Sequence, residues 1–305
     1  ISALLQVLAR NEIFTNGQKK VLVCATSNKA VQVVLETFLA VADSSTRIVL
    51  AGVEEKLQPA CRSVFLNTRA RFLEEALSSS DRLTIIRALH SFKNDAPVAF
   101  KQLQSASQLL TTDDSDEFAR LLACVREEVA ELAQQESRGQ AGSLEHELLC
   151  RASFVFCTVS SSGRSVLRRM LKNKVGCLIV DEAAQGPECE TIIPLSYNPE
   201  RVLLVGDPQQ LSTTVCASRA AELAGYGRSM MQRLFDIKYN YSMLSVQYRM
   251  HPAISAFPAK QFYNSKLSDG PHQTNQILSP TVPPYRLIDV NGAEERSGGS
   301  GSSIS

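Results

Sequence analysis

Five short stretches of the chain are apolar at nearly every position, and polar residues bound each of them. They are "KKVLVCAT" (19–26), "RIVLAG" (47–52), "SFVFCTV" (153–159), "GCLIVDE" (176–182) and "RVLLVGD" (201–207). Apolar runs that are continuous rather than alternating, rich in Val, Ile, Leu and Phe, predict strands buried on both faces of a parallel sheet. Between several of them the period changes. "NKAVQVVLETFLAV" and "RSVLRRMLKNK" place apolar residues every three or four positions, the spacing of one face of a helix. Strand and helix in alternation predict a doubly wound α/β domain.

Over residues 54–148 the alternation stops. "FLNTRARFLEEALSS", "DRLTIIRALHSF" and "DEFARLLACVREEVAELAQQES" keep helical spacing throughout. They predict a helical insertion subdomain of roughly 90 residues between two strands of the sheet. A new unit begins near residue 241, and the closing "RSGGSGSSIS" is a low-complexity segment.

Composition narrows the class without deciding it. With 305 residues the chain has room for about two domains. Its formal charge of +1 argues neither for nor against nucleic acid, because a basic groove can sit on a neutral protein. No apolar run approaches the roughly 18 residues of a membrane span, so no membrane partner is expected. The eight cysteines form no C-x-x-C pair. Zinc and a disulfide framework are therefore not expected, and buried free thiols place the protein in a reducing compartment, nucleus or cytoplasm.

In an open parallel sheet, ligands bind beyond the carboxyl ends of the strands. The residues just after the runs are Ser27 and Asn28, Thr158 to Ser162, Asp181 and Glu182 with Gln185, and "GDPQQL" from Gly206 to Leu211. Small hydroxyls, amides and acids suit phosphate, a hard metal ion and nucleic-acid backbone. Asp181 suits Mg²⁺, which takes oxygen ligands and keeps several waters. Glu182, one residue on, can orient a water for attack on a phosphoryl group. Gln210 can donate to a γ-phosphate oxygen while accepting from a neighbour. Arg249, in "SVQYRMHP", carries the planar, always-charged group best suited to a transferring phosphate. Each feature also has a plainer reading: a solvated acidic pair, a β-turn, a structural salt bridge.

Taken in order, "VDEAAQ", "LVGDPQQL" and "QYRMHP" resemble motifs II, III and IV of superfamily 1 helicases, in the 1B branch of senataxin-like and nonsense-mediated-decay helicases. "VLVCATSNKAVQVV" is similar to motif Ia, and "SFVFCTVSSSG" to the nucleic-acid-contact motif that comes after it. The resemblance implies a RecA-like P-loop NTPase fold. Residues 1–53 and 149–240 form its first RecA-like domain, and 241–305 begin a second. It implies ATP and Mg²⁺ as cofactors and single-stranded RNA or DNA as partner. Asp181 holds the metal and Glu182 activates the water. Gln210 and Arg249 face the γ-phosphate, and Tyr248 packs near the base. Ser27, Asn28, Thr158, Ser160 and Ser161 contact the strand's backbone. A stripe of Arg164, Arg168, Arg169, Lys172 and Lys174 adds charge nearby, although a solvated helix face is the commoner meaning of such a pattern.

The pattern departs from the family in two ways. No G-x-x-x-x-G-K-[ST] loop occurs, although such a loop is needed to cradle the β- and γ-phosphates. "ISALLQVLAR" looks like the helix that comes directly after that loop, and motifs V and VI are missing. The expectation is the central portion of a helicase, inactive by itself. The alternative is a catalytically dead helicase-like binding or scaffold protein. In addition, Ser212 and Thr213 stand where the family often shows prolines, which predicts a looser loop after Gln210.

Overall fold

The computed structural model describes residues 1–15, 18–43, 46–53, 57–68, 70–71, 144–210, 213 and 218–271. It comprises two compact units, Ile1–Tyr239 and Asn240–Ser305. In the first unit the order is α1 (Ser2–Ala9), β1 (Lys20–Ala25), α2 (Asn28–Leu39), β2 (Ile48–Leu50), α3 (Leu144–Arg151), β3 (Phe154–Thr158) and α4 (Ser165–Leu171). Next come β4 (Val175–Asp181), α5 (Glu188–Leu195), β5 (Arg201–Leu204), α6 (Arg219–Leu223) and α7 (Met230–Asp236). The strands form one parallel sheet in the order β2-β3-β1-β4-β5. Most of the predicted helical insertion falls on residues 72–143, outside the described residues.

Successive side chains of a strand point to opposite faces, so each apolar run feeds two cores. On one face Val21, Val23 and Ala25 join Phe154, Phe156 and Ile179 beneath Leu5 of α1 and Val31, Leu35 and Phe38 of α2. Phe38 stands 5.0 Å from Phe154 and 6.1 Å from Phe156, ring centre to ring centre. On the other face Leu22, Cys24, Val155, Cys157, Leu178 and Val180 meet Leu149 of α3 and Leu167, Met170 and Leu171 of α4. Full burial of each large side chain contributes about 1.5–3 kcal/mol. This two-sided demand is why the runs are continuous rather than alternating. Cys61 and Val64 of the short turn Pro59–Val64 join the first core as well, bringing Phe65 beside Leu50.

One strand departs from the expectation. Arg201, Val202 and Leu203 of β5 are exposed. β5 pairs with β4 alone, and of its residues Leu204 packs partly against the second core, so its apolar run is an edge and not a doubly buried strand.

Lys20 opens β1 and is 1 % exposed. Its Nζ donates to the carbonyl of Cys150 at 2.7 Å and to that of Ala152, both at the carboxyl end of α3. A cation there satisfies orphan carbonyls and opposes the negative end of the helix dipole. Burial nonetheless lowers its pKa to about 8. Between pH 8 and the unfolded value near 10.5 the unfolded chain therefore binds more protons, and stability rises with pH. Relative to Lys20→Met, the native protein is expected to gain about 2 kcal/mol between pH 7.5 and 10, read from urea midpoints. Equal slopes for the two proteins would contradict the assignment.

In the second unit β6 (Val246–Gln247) and β7 (Ser268–Asp269) pair in parallel, with α8 (Pro252–Phe262) between them in sequence. His251 caps α8 by accepting the Ala253 N–H on Nδ1 at 3.1 Å, and Pro252 takes the first turn, where no donor is needed. Among the described residues, no helix is long and apolar enough to cross a membrane.

Candidate functional site

Sheet register brings three strand ends together. Ala25 of β1 is paired with Thr158 on one side and Asp181 on the other. Thr158 continues the parity of Phe156, and Asp181 that of Ile179, so both lie toward the face covered by α1 and α2. Neighbouring strands are about 4.8 Å apart, which sets Thr158 and Asp181 about 10 Å from each other across Ala25.

Asp181 is half-buried. Burial raises its carboxyl above the usual carboxylate range, opposed by the backbone N–H of Glu182. Glu182 then turns the chain with φ 51°, in the left-handed region. Asn173, Asn198, Lys238, Asn264 and Ser265 also sit there, as Asn commonly does and Glu seldom. Gln185 stabilises the turn twice. Its backbone N–H donates to the carbonyl of Glu182, and its Nε2 donates to Glu182 Oε2, each at 2.9 Å.

The second turn interlocks with the first. Ala183 N donates to the carbonyl of Val205 at 2.9 Å. A Cβ on Gly206 would stand 3.0 Å from Ala183 N and 3.1 Å from Ala184 N, so a side chain there would press the two turns apart. Asp207 organises the Gln209–Gln210 segment: Oδ1 accepts the Gln209 N–H at 3.0 Å, and Oδ2 accepts from Gln210 Nε2 at 2.9 Å. Gln210 itself is exposed. Of the loop expected to be looser after Gln210, residues 211–212 and 214–217 lie outside the described residues, and Thr213 is described. Its Oγ1 donates to the carbonyl of Gln185 at 2.6 Å, a tether that proline lacks, while Ser212 lies outside the described residues.

The expected strand-contact residues differ in how available they are. The Ser27 oxygen accepts from Ala30 N at 3.1 Å and caps α2. Asn28 and Thr158 line one shallow cleft with Gln32, Gly52, Leu57 and Phe65. Thr158 is buried and committed locally: its Oγ1 donates to Ser161 Oγ at 2.8 Å and accepts the Ser161 N–H at 3.1 Å. Ser160 is exposed and Ser161 half-buried. Beneath them, the hydroxyl of buried Tyr197 donates to the carbonyl of Ser162 and braces the loop.

In the second unit Tyr248 and Arg249 are both exposed. A Cβ on Gly270 would fall onto the Tyr248 ring, so that glycine makes room for the aromatic. Gln247 holds the loop around Arg249. Its Oε1 accepts from Arg249 N at 2.9 Å and Met250 N at 2.7 Å, and its Nε2 donates to Met250 O at 2.7 Å and to Asp269. Asp269, which accepts from Ser255 Oγ at 2.6 Å and from Gln247, is held below the usual carboxylate range by those two hydrogen bonds. Sequence reasoning gave Gln247 and Asp269 no role and placed Gln185 and Asp207 only among the strand-end residues. Glu182 with Gln185 and Asp207 with Gln210 repeat an acid and an amide three residues apart, a spacing that could have signalled two of them.

Among the described residues no three His, Cys, Asp or Glu side chains gather as a metal cage. An ion held mainly by water and phosphate needs only one or two carboxylates, and Asp181 fits that donor set. Its burial is the condition that a nearby cation relieves.

Comparison with known proteins gives a consistent picture. A family model described as AAA domain matches residues 1–218, and a second with the same description matches residues 226–305. The chain is 32% identical over 340 aligned residues to Helicase sen1 of Schizosaccharomyces pombe, covering 97% of this chain and 20% of that protein. It is 29% identical over 317 residues to the human Probable helicase senataxin, covering 92% of this chain and 12% of that one. It is 34% identical over 198 residues to the ATP-dependent helicase upf1 of S. pombe, covering 64% of this chain and 21% of that one. The chain thus spans about a fifth or less of the length of these relatives.

Proposed function

Since the chain belongs to the senataxin-like, 1B branch of the superfamily 1 helicases, we propose that it is the central portion of an ATP-dependent helicase or translocase acting on single-stranded RNA or DNA. The observation that carries this reading is the alignment of Thr158, Ala25 and Asp181 along one carboxyl edge, with Glu182 and Gln210 on two interlocked turns beside it. An edge built only for stability has no use for a strained glutamate and two braced amides.

In this reading Asp181 would hold Mg²⁺, and the ion would supply neutralisation of phosphate charge. Glu182 accepts a proton from the attacking water. Gln210, steadied by Asp207, donates to the γ-phosphate, and the Thr213 tether to Gln185 passes its state to the Glu182 turn. Arg249 stabilises charge on the transferring phosphoryl group, and Tyr248 packs against the base. Ser27, Asn28, Ser160 and Ser161 bond the strand's phosphates without demanding a base sequence.

The 305 residues contain no G-x-x-x-x-G-K-[ST] loop and by themselves are expected to turn over ATP negligibly. The gene product that pairs them with such a loop is expected to release phosphate from ATP, and to do so faster when single-stranded oligonucleotide is added. A gene product with that loop that releases no phosphate with or without oligonucleotide would replace this reading by a non-catalytic scaffold, and release that no oligonucleotide stimulates would refute the nucleic-acid coupling.

A further inference from the structure

We propose that the outward face of α4 is an accessory track for the phosphates of a single nucleic-acid strand, leading away from the Ser160–Ser161 loop. The proposal rests on the nucleic-acid reading and extends the contact to residues outside the strand-end set.

The helix carries an unusual concentration of one charge. Between residues 159 and 180 there are five basic residues and no acid, in a chain whose formal charge is only +1. Arg164, Arg168 and Lys172 recur every four positions, so they lie along one side of the helix, with Arg169 beside them. From first to last the stripe covers about 12 Å at 1.5 Å per residue. Leu167, Met170 and Leu171 take the inward side, and all five basic residues are exposed. Among the described residues none of the five is in an ion pair.

Helix stability accounts for only part of this arrangement, since Arg168 and Arg169 lie in the last turn of α4, where the dipole favours cations, and the rest runs against it. Like charges four apart destabilise a helix by about 0.2–0.5 kcal/mol per pair. Arg164 also stands at the helix N-terminus, where the dipole disfavours a cation. Its Nη1 donates to the carbonyl of Gly52 at 3.0 Å, which ties the start of the stripe to the rim of the Asn28–Thr158 cleft. α4 comes after the carboxyl end of β3 and leads back to the start of β4, so the stripe begins at the candidate site and runs down the side of the sheet. An evenly spaced row of cations that starts at phosphate-binding hydroxyls matches a polyphosphate chain, and arginine forks match its oxygens.

The test uses the 305-residue chain with fluorescent oligo-dT of about six and about twenty nucleotides, across a salt series. The variant combines Arg168→Gln, Arg169→Gln and Lys172→Gln and leaves Arg164 in place. Each lost phosphate contact should flatten the slope of log affinity against log salt by about 0.7 for a single strand. The long oligonucleotide should therefore lose about two from its slope and roughly tenfold in affinity, while the short one binds both proteins alike. An unchanged slope for the long oligonucleotide overturns the track, as does equal weakening of both lengths. If neither length binds the unaltered chain, the nucleic-acid reading falls and takes the track with it. Binding of polyglutamate in preference to oligo-dT overturns it in favour of an acidic protein partner.

Discussion

Glu182→Gln is expected to lower ATP turnover about 10²- to 10⁴-fold in the ATPase-competent gene product, with nucleotide affinity unchanged to within about twofold. The substitution keeps the size of the side chain and an oxygen that can still accept from Gln185 Nε2, but it removes the group able to take a proton from water. Backbone strain offers a second readout that needs no ATP. Glu182 has φ 51°, where a side chain costs about 1 kcal/mol and glycine costs little. Glu182→Gly should therefore be more stable than Glu182→Ala by about 1 kcal/mol in urea unfolding of the 305-residue chain, the reverse of the order in an ordinary helix. Full turnover in Glu182→Gln would refute the base assignment, and Ala and Gly variants of equal stability would refute the strain.

The sheet was legible because its demand is written into every residue of a run. A strand such as "VLVC" must be apolar at both parities when helices cover both faces, and Leu22 and Val23 serve different cores for that reason. β5 misleads by the same logic. Its run is as apolar as the others, but burial depends on what packs over a strand, and no pattern within the run records that. Lys20 misleads in the opposite sense: it reads as the polar border of a strand and lies buried against the end of a helix more than a hundred residues further along the chain. At the proposed site, residue type and strand-end position singled out Asp181, Glu182 and Gln210, and the sheet register sets Asp181 at the carboxyl edge beside Ala25. The residues that hold them were less legible. Gln185 and Gln247 act through loop geometry, and a left-handed glutamate has no signature in a sequence, where glycine or asparagine is the usual sign. Ser27 illustrates the reverse ambiguity, since the same hydroxyl that suits a phosphate also serves as an ordinary helix cap.

Arg249→Ala is expected to reduce the turnover of the ATPase-competent gene product by about 10³-fold or more, the scale of an arginine that stabilises a transferring phosphoryl group. A structural salt bridge was the plain alternative for this residue, and among the described residues Arg249 is in none. Its backbone, in contrast, is held firmly: Gln247 accepts from the N–H of Arg249 and of Met250, and Asp269 anchors Gln247 in turn. A free guanidinium on a pinned loop is the arrangement that lets a cation meet developing charge without reorganising first. Arg249→Lys should recover little, because an ammonium keeps the charge and loses the planar fork. Gln247→Ala should cost roughly tenfold in kcat with KM for ATP nearly unchanged, since it loosens the loop and leaves the guanidinium in place. Oligonucleotide affinity should stay level across all three variants. If Arg249→Ala retains turnover the arginine has no part in the chemistry, and if it alone is inactive while Gln247→Ala is unimpaired, the loop needs no clamp.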